Sequence, residues 1–444
     1  MDKLHDSLLL QILSQLDDSA DVARCRVAYK PFNTVFPDLR SINLQCSKIW
    51  YTDSMSRVSK SKSFMSVFLD IISKLDTVES VSIIHEDPYS VMLPGLEGDD
   101  LTLQNRFVQE WVPMVSKSLQ SLCLSGFPYS FIVPLISKHC HNLVNLHLTY
   151  AWLSVVTMNP MPMLTSLTLE YTDLEDIHLN ELNKGFPNLQ HLDLIGVRGL
   201  QNPKIHLLNL QTCHWAEHHH HPQSSLTLIT PNLTTLVIEC VYPAEIHVEA
   251  PMLSEFQLSV NTVKHPGALI VKKFENLKTV WLDSLCIGSL LSEFPITKTV
   301  ETLSLDSENE EPTDATDSKF TIGKVLMVFP NLSSLCIYSG AWSELEACLN
   351  SEDRESSDGK IGLKTICAYL KLVDPSLTFS SVSHVLDQCL GLSEVSLLIH
   401  VDVADTESKN FMSKCMAHWP GLKWKWGRWS DDMEESWITD GMSN

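Results

Sequence analysis

The sequence is short of basic residues: 32 Lys and Arg stand against 54 Asp and Glu, a formal charge of −22. Binding to nucleic-acid phosphates rests on clustered cations, so no nucleic-acid partner is expected. Long apolar runs are also missing. Nothing approaches the roughly 18 uninterrupted apolar residues that mark a membrane span. Asp2 and Asp6 sit where a signal peptide would carry positive charge, and no small-residue cleavage site follows, so no leader is expected. The 12 cysteines are scattered without a C-x-x-C pair. Neither a disulfide framework nor a structural zinc site is therefore expected, and reduced thiols point to the cytoplasm or nucleus.

What is present is a repeat. The chain has 444 residues and is 44% hydrophobic, longer than one compact domain usually runs, and a repeat can grow by addition. The pattern L-x-x-L-x-L recurs, clearest from Leu119, Leu143, Leu164, Leu189, Leu277 and Leu332. Looser copies start at Leu39, Val78, Ile205, Leu233, Leu253, Val300, Leu363 and Leu392. A shared lead-in, FPNL or TPNL, precedes several of them. The central spacing, roughly 21 to 25 residues, is that of leucine-rich repeats. Positions 1, 4 and 6 of each copy point inward, and positions 3 and 5 point outward on a short strand. The expected fold is α/β: a short N-terminal helical segment, then a curved solenoid with parallel strands on its concave face.

The first forty residues do not carry the repeat. Leu4, Leu8, Leu9, Ile12, Leu13 and Leu16 recur at helical spacing, with Asp6 or Ser7 as candidate N-caps. Asp17, Asp18 and Ser19 break this helix, and a second is predicted from Ala20 to about Phe32. So much apolar surface on so short a segment marks either a partner surface or a cap over the first repeat.

Leu4-HDSLLLQILSQL followed by Arg24-CRVAYKPF resembles the F-box. The sequence differs from the family's usual residues at His5, Ser7 and Phe32, where Pro, Glu and Trp are frequent. An F-box ahead of leucine-rich repeats is similar to the plant-rich F-box/leucine-rich-repeat proteins. That resemblance implies a substrate receptor of a Skp–cullin–F-box ubiquitin ligase, not a catalyst. The F-box would bind the Skp-type adaptor and, through it, cullin and the RING subunit. Leu4, Leu9, Ile12, Leu13, Leu16, Val22 and Val27 are the expected adaptor contacts. The alternative is an interaction scaffold whose F-box no longer engages an adaptor. The organisation read from the sequence is an F-box over 1–38, a helical linker or irregular repeat over 39–76, a solenoid over 77–430 and an acidic tail over 431–444. Insertions are expected near 84–104, 211–224, 306–319 and 350–361.

Outward strand positions nominate His147, His191, Asp193, Gln257 and Trp281 for substrate contact. The face is mildly acidic, and so are the insertions, which favours a protein substrate with a basic segment. It has almost no Arg or Lys, unlike the basic floor on which hormone-receptor relatives hold an inositol phosphate, so no cofactor is expected. His218 to His221 lie in a predicted loop, and consecutive residues rarely converge on one ion, so no metal site is assigned. Trp424, Trp426 and Trp429, partly alternating with Lys425 and Arg428, read as a final capping strand.

Overall fold

The computed structural model describes residues 4–16, 18–46, 64–85, 98–126, 132–151, 153, 158–217, 224–240, 243–260, 268–271, 274–307, 319–349, 362–389 and 391–438. The expected insertion at 350–361 lies outside these residues, as do 86–97, 218–223 and 308–318 from the other three. The chain divides into two compact units, residues 1–219 with 228–231 and residues 220–227 with 232–444.

The first unit begins with three helices: α1 (Asp6–Ser14), α2 (Ser19–Ala28) and α3 (Phe32–Val35). The N-cap of α1 is His5, not Asp6 or Ser7: its ring accepts the Ser7 amide at 3.3 Å. Asp18 caps α2 by accepting the Ala20 amide at 2.9 Å. The second helix ends at Ala28, short of Phe32. Tyr29 turns extended, and the chain restarts as α3 after Pro31; a proline disfavours helical geometry in the residue before it.

Parallel strands follow: β1 (Ser41–Cys46), β2 (Ser80–His85), β3 (Ser121–Ser125), β4 (Asn145–Thr149), β5 (Ser166–Glu170) and β6 (His191–Ile195). A two-residue strand, β7 (Lys204–Ile205), precedes β8 (Thr212–Ala216). The register lines up two apolar ladders. One runs Ile42, Val81, Leu122, Leu146, Leu167, Leu192, Cys213, and the other Leu44, Ile83, Leu124, Leu148, Leu169, Leu194, Trp215. All are buried. Each large side chain contributes about 1.5–3 kcal/mol by leaving water. The ladder therefore starts within 39–76, which is a full repeat with its own helix, Phe64–Ile72.

Two boundaries are corrected. The copy placed at Ile205 is one turn early: β8 carries the repeat as Leu210-x-x-Cys213-x-Trp215, and an insertion over 211–224 is displaced by that strand. Cys and Trp fill the leucine positions, which hid the pattern. Likewise the helix Gly98–Val115 begins inside the insertion expected over 84–104.

Successive strands of this unit end alike. Gly126, Tyr150, Tyr171 and Gly196 all have positive φ, between 48° and 80°. Each donates its amide to the next strand's last carbonyl: Gly126 to Thr149, Tyr150 to Glu170, Tyr171 to Ile195 and Gly196 to Ala216, at 2.6–2.9 Å. Left-handed backbone is costly for tyrosine. Tyr150 and Tyr171 stack at 5.1 Å, a contact that offsets part of that cost.

In the second unit, β10 (Thr235–Cys240), β12 (Glu255–Val260), β14 (Thr279–Ser284), β15 (Thr302–Asp306), β16 (Ser334–Ile337), β17 (Thr365–Leu370), β18 (Glu394–His400) and β19 (Lys423–Trp429) are parallel neighbours. β9 (Ser224–Ile229) crosses the division between the units. Short return segments are extended, not helical: β11 (Pro243–Glu249) pairs in parallel with β13 (Ala268–Val271). Later returns are helices: Ile287–Glu293, Ile322–Val328, Ser339–Leu349, Pro375–Gln388 and Asp405–His418. β20 (Glu435–Ile438) pairs antiparallel with β19, so the expected acidic tail contains a strand.

The lead-in phrase has a structural reason. Asn188 and Asn331 of the lead-in, and Asn209 and Asn276 at the same place ahead of their own copies, donate to a backbone carbonyl of the preceding repeat: Asn188 to Pro162, Asn209 to Pro187, Asn276 to Pro251 and Asn331 to Lys298, each at 2.8 Å. Asn142 does the same to Lys117.

Candidate functional site

The helical segment sorts its leucines by period. Leu9 and Leu13, four residues apart, face inward at 2% and 1% exposure and pack with Val22, Phe32, Val35, Phe36 and Leu39. Leu10 and Leu16 lie partly buried against the same core. Leu8 and Ile12 form a separate ridge, 47% and 43% exposed; Leu4, ahead of the N-cap, is 38% exposed, and Val27 on α2 is 88% exposed. Reading Leu9, Leu13 and Val22 as adaptor contacts is thus corrected: their surface is already consumed inside the segment. Leu8 is the residue missed, although its spacing from Leu4 and Ile12 shows the ridge. Arg26 lies 3.7 Å over the Phe36 ring and donates to Asn33 at 2.9 Å, which fixes the second half of the motif. Desolvation pulls its guanidinium below the ordinary value, opposed by Asp70.

On the strand face of the first unit, the outward row in register is Ser82, Cys123, His147, Thr168, Asp193, His214. His147 is held from both sides. Its Nδ1 lies 3.6 Å from Cys123 Sγ, and its Nε2 lies 3.4 Å from Glu170 Oε1 and 3.2 Å from Thr149 Oγ1. The bond to Cys123 first, and that to Glu170 second, raise the imidazole to about 10. The Glu170 carboxyl is correspondingly held below its ordinary range by His147. Thiol and carboxylate lie on opposite ring nitrogens, so the three do not converge as a metal site. His191 and Asp193 are engaged elsewhere: His191 with Thr212 at 2.7 Å, and Asp193 as acceptor from Thr168 at 3.0 Å. The structure therefore does not join the nominated imidazoles and carboxylates into one cluster.

In the second unit Gln257 lies in register beside Trp281, both half-buried. Trp281 packs on Tyr338 with ring centroids 4.9 Å apart, and Tyr338 stacks on Tyr369 at 4.4 Å. Tyr369, Leu398 and Trp429 form a buried cluster on this outward face. Glu435 on β20 accepts the Tyr369 hydroxyl. Trp424 and Trp426 continue the inner ladders of the last repeat, in register with Val395 and Leu397. Beside Trp281 runs a row Glu239, Ser259, Asp283, Asp306, with Ser259 donating to Asp283 at 2.8 Å. The His218–His221 run lies outside the described residues.

Among the described residues no helix is long and apolar enough to cross a membrane. A scan against protein-family models finds no match. Among curated proteins the chain is similar to an F-box/LRR-repeat protein of Arabidopsis thaliana, 33% identical over 461 aligned positions that cover 99% of this chain and 100% of the relative. The likeness thus spans both the helical segment with its bare apolar ridge and the repeats stacked behind it, and on that full-length relationship the chain belongs to the plant family of F-box/leucine-rich-repeat proteins.

Proposed function

We propose that the protein is the substrate-recognition subunit of a Skp–cullin–F-box ubiquitin ligase. The observation that carries this reading is the ridge of Leu8 and Ile12 on α1, with the exposed Leu4 and Val27 besides: four apolar side chains left in water by a segment that has already filled its own core. Such a ridge fits a hydrophobic groove on a Skp-type adaptor, which would bring cullin and the RING subunit. The receptor itself does no chemistry in this role. Ubiquitin transfer is accelerated by holding the substrate near the charged conjugating enzyme.

Substrate contact is assigned to the outward strand rows: His147, His191 and Asp193 in the first unit, Gln257 and Trp281 in the second. Glu170, Glu239, Asp283 and Asp306 give these rows an acidic cast, which suits a protein substrate with a basic segment. The test is capture of adaptor and cullin by wild type and by Leu8→Asp/Ile12→Asp. Both positions are exposed, so the fold should survive. Retention by wild type and a loss of more than about 100-fold in the variant are expected. A wild-type chain that captures neither partner overturns the proposal and leaves an interaction scaffold.

A further inference from the structure

The Cys123–His147–Glu170 line is not needed for adaptor binding, and its geometry does more than hold a surface histidine in place. Neighbouring parallel strands put Cys123 of β3 and His147 of β4 in register on one face, which brings Sγ to 3.6 Å from Nδ1. The far nitrogen meets Glu170 at 3.4 Å and Thr149 at 3.2 Å. This is an arrangement that activates a thiol: an imidazolium facing the sulfur, and a third group orienting that imidazolium. Cys123 is half-buried, neither sealed in the core nor fully exposed. The side chains of His147 and Glu170 are 38% and 30% exposed, which leaves room for a small reagent.

We propose that Cys123 is a covalent modification site, a thiol activated by His147 and positioned by Glu170 to react with peroxides and other small electrophiles. His147, charged below about pH 10, donates through Nε2 to Glu170 and turns its Nδ1 proton to the sulfur, while the thiol proton leaves to solvent. The sulfur electron pair attacks one peroxide oxygen, an S–O bond forms and the O–O bond breaks. The leaving hydroxide takes the Nδ1 proton of His147 and becomes water, solvent returns a proton to His147, and the product is a sulfenic acid. Sulfur is oxidised by two electrons and the peroxide is reduced. With iodoacetamide the same attack forms an S–C bond and expels iodide. Modification would place a new polar or bulky group in the middle of the outward row, beside the histidine nominated for substrate contact.

Three of the other half-buried cysteines give an internal control. Cys336 and Cys367 are also in register on neighbouring strands, but they pack against the Tyr369–Leu398–Trp429 cluster. Cys348 Sγ instead accepts the Phe320 amide at 3.4 Å.

The experiment is site-resolved alkylation of the full-length chain by iodoacetamide, followed by peptide mass spectrometry, with dimedone trapping after hydrogen peroxide. Cys123 is expected to react at least about tenfold faster than Cys336, Cys348 or Cys367. His147→Gln should remove that advantage, and Glu170→Gln should reduce it several-fold, while thermal midpoints stay close to wild type. Dimedone should label Cys123 in wild type and not in His147→Gln. Cys123 reacting no faster than the other half-buried thiols, or at a rate indifferent to His147→Gln, overturns the proposal. Adaptor capture by the same variants is expected to be unchanged, which separates failure here from failure of the ligase assignment.

Discussion

The outward side of the strands does different work in the two units. In the first it carries Cys123, His147, Thr168 and Asp193, joined by polar contacts and left half in water. Towards the end of the second it carries aromatic side chains that roof over the strands: Tyr369 and Trp429 are 3% exposed, and Leu398 between them is fully buried. Outward on a repeat strand is therefore not a synonym for exposed. Where a terminal strand needs fastening, the outward face becomes a second core. Gly427 shows how closely it is packed. A Cβ there would stand 2.5 Å from the Ser436 carbonyl oxygen and 3.0 Å from Leu398.

The largest effect should come from opening that second core. Tyr369→Ala removes a buried ring stacked on Tyr338 and edge-on to Trp429, and it strips Glu435 of its hydroxyl donor. A loss of about 3–5 kcal/mol is expected by analogy with other buried aromatic truncations, read by denaturant unfolding. If Tyr369→Ala costs no more than a surface substitution, the contrast between the two faces collapses.

Next is a carboxylate that serves as a cap from another repeat. Glu344 accepts the amides of Ile287 and Gly288 at 2.9 Å each, at the start of the helix Ile287–Glu293. Burial raises its carboxyl above the ordinary value, opposed by those two amides. Glu344→Ala leaves both donors unsatisfied and should cost about 1–3 kcal/mol. An unchanged midpoint would mean that water replaces the cap. Smaller again, Asn188→Ala removes one bond between repeats and should cost about 0.5–1.5 kcal/mol.

On the first unit's face, Thr168→Val should shift stability by less than about 1 kcal/mol, because Asp193 remains open to solvent. The sharper readout there is pH. The folded-state pKa of His147 lies near 10, above its unfolded value of 6.5. Its contribution is thus fully present below pH 6.5 and lost as pH rises towards 10. The groups facing it are Cys123, Thr149 and Glu170. The stability difference between wild type and His147→Gln should shrink over that window, shallowly, since the side chain is 38% exposed. A difference independent of pH would remove His147 from the set of charged groups.

Much of the fold was legible because leucine at fixed offsets is a direct consequence of stacking strands. Even the irregular copies at Val78, Val300 and Leu363 fall on the observed ladders. The copy near Ile205 was misplaced because Cys213 and Trp215 stand where leucine is usual. In the helical segment the period of 3.6 was visible, but not which of its two apolar stripes would meet Phe32, Val35 and Phe36. That choice sorted the nominated adaptor residues into core and ridge. The pairing of Cys123 with His147 lay in the repeat register itself, since both occupy the fifth position of consecutive copies.

The sequence by itself determined the repeat, its inward ladders and the helical segment ahead of it, because burial of apolar side chains at a fixed period leaves few alternatives. Only the tertiary structure decided which outward residues stay accessible. That depends on whether neighbouring strands supply aromatic cover, as at Tyr369 and Trp429, or hydrogen-bonding partners, as at His147. Contacts of this kind form between residues 20 or more positions apart and have no signature in any single repeat.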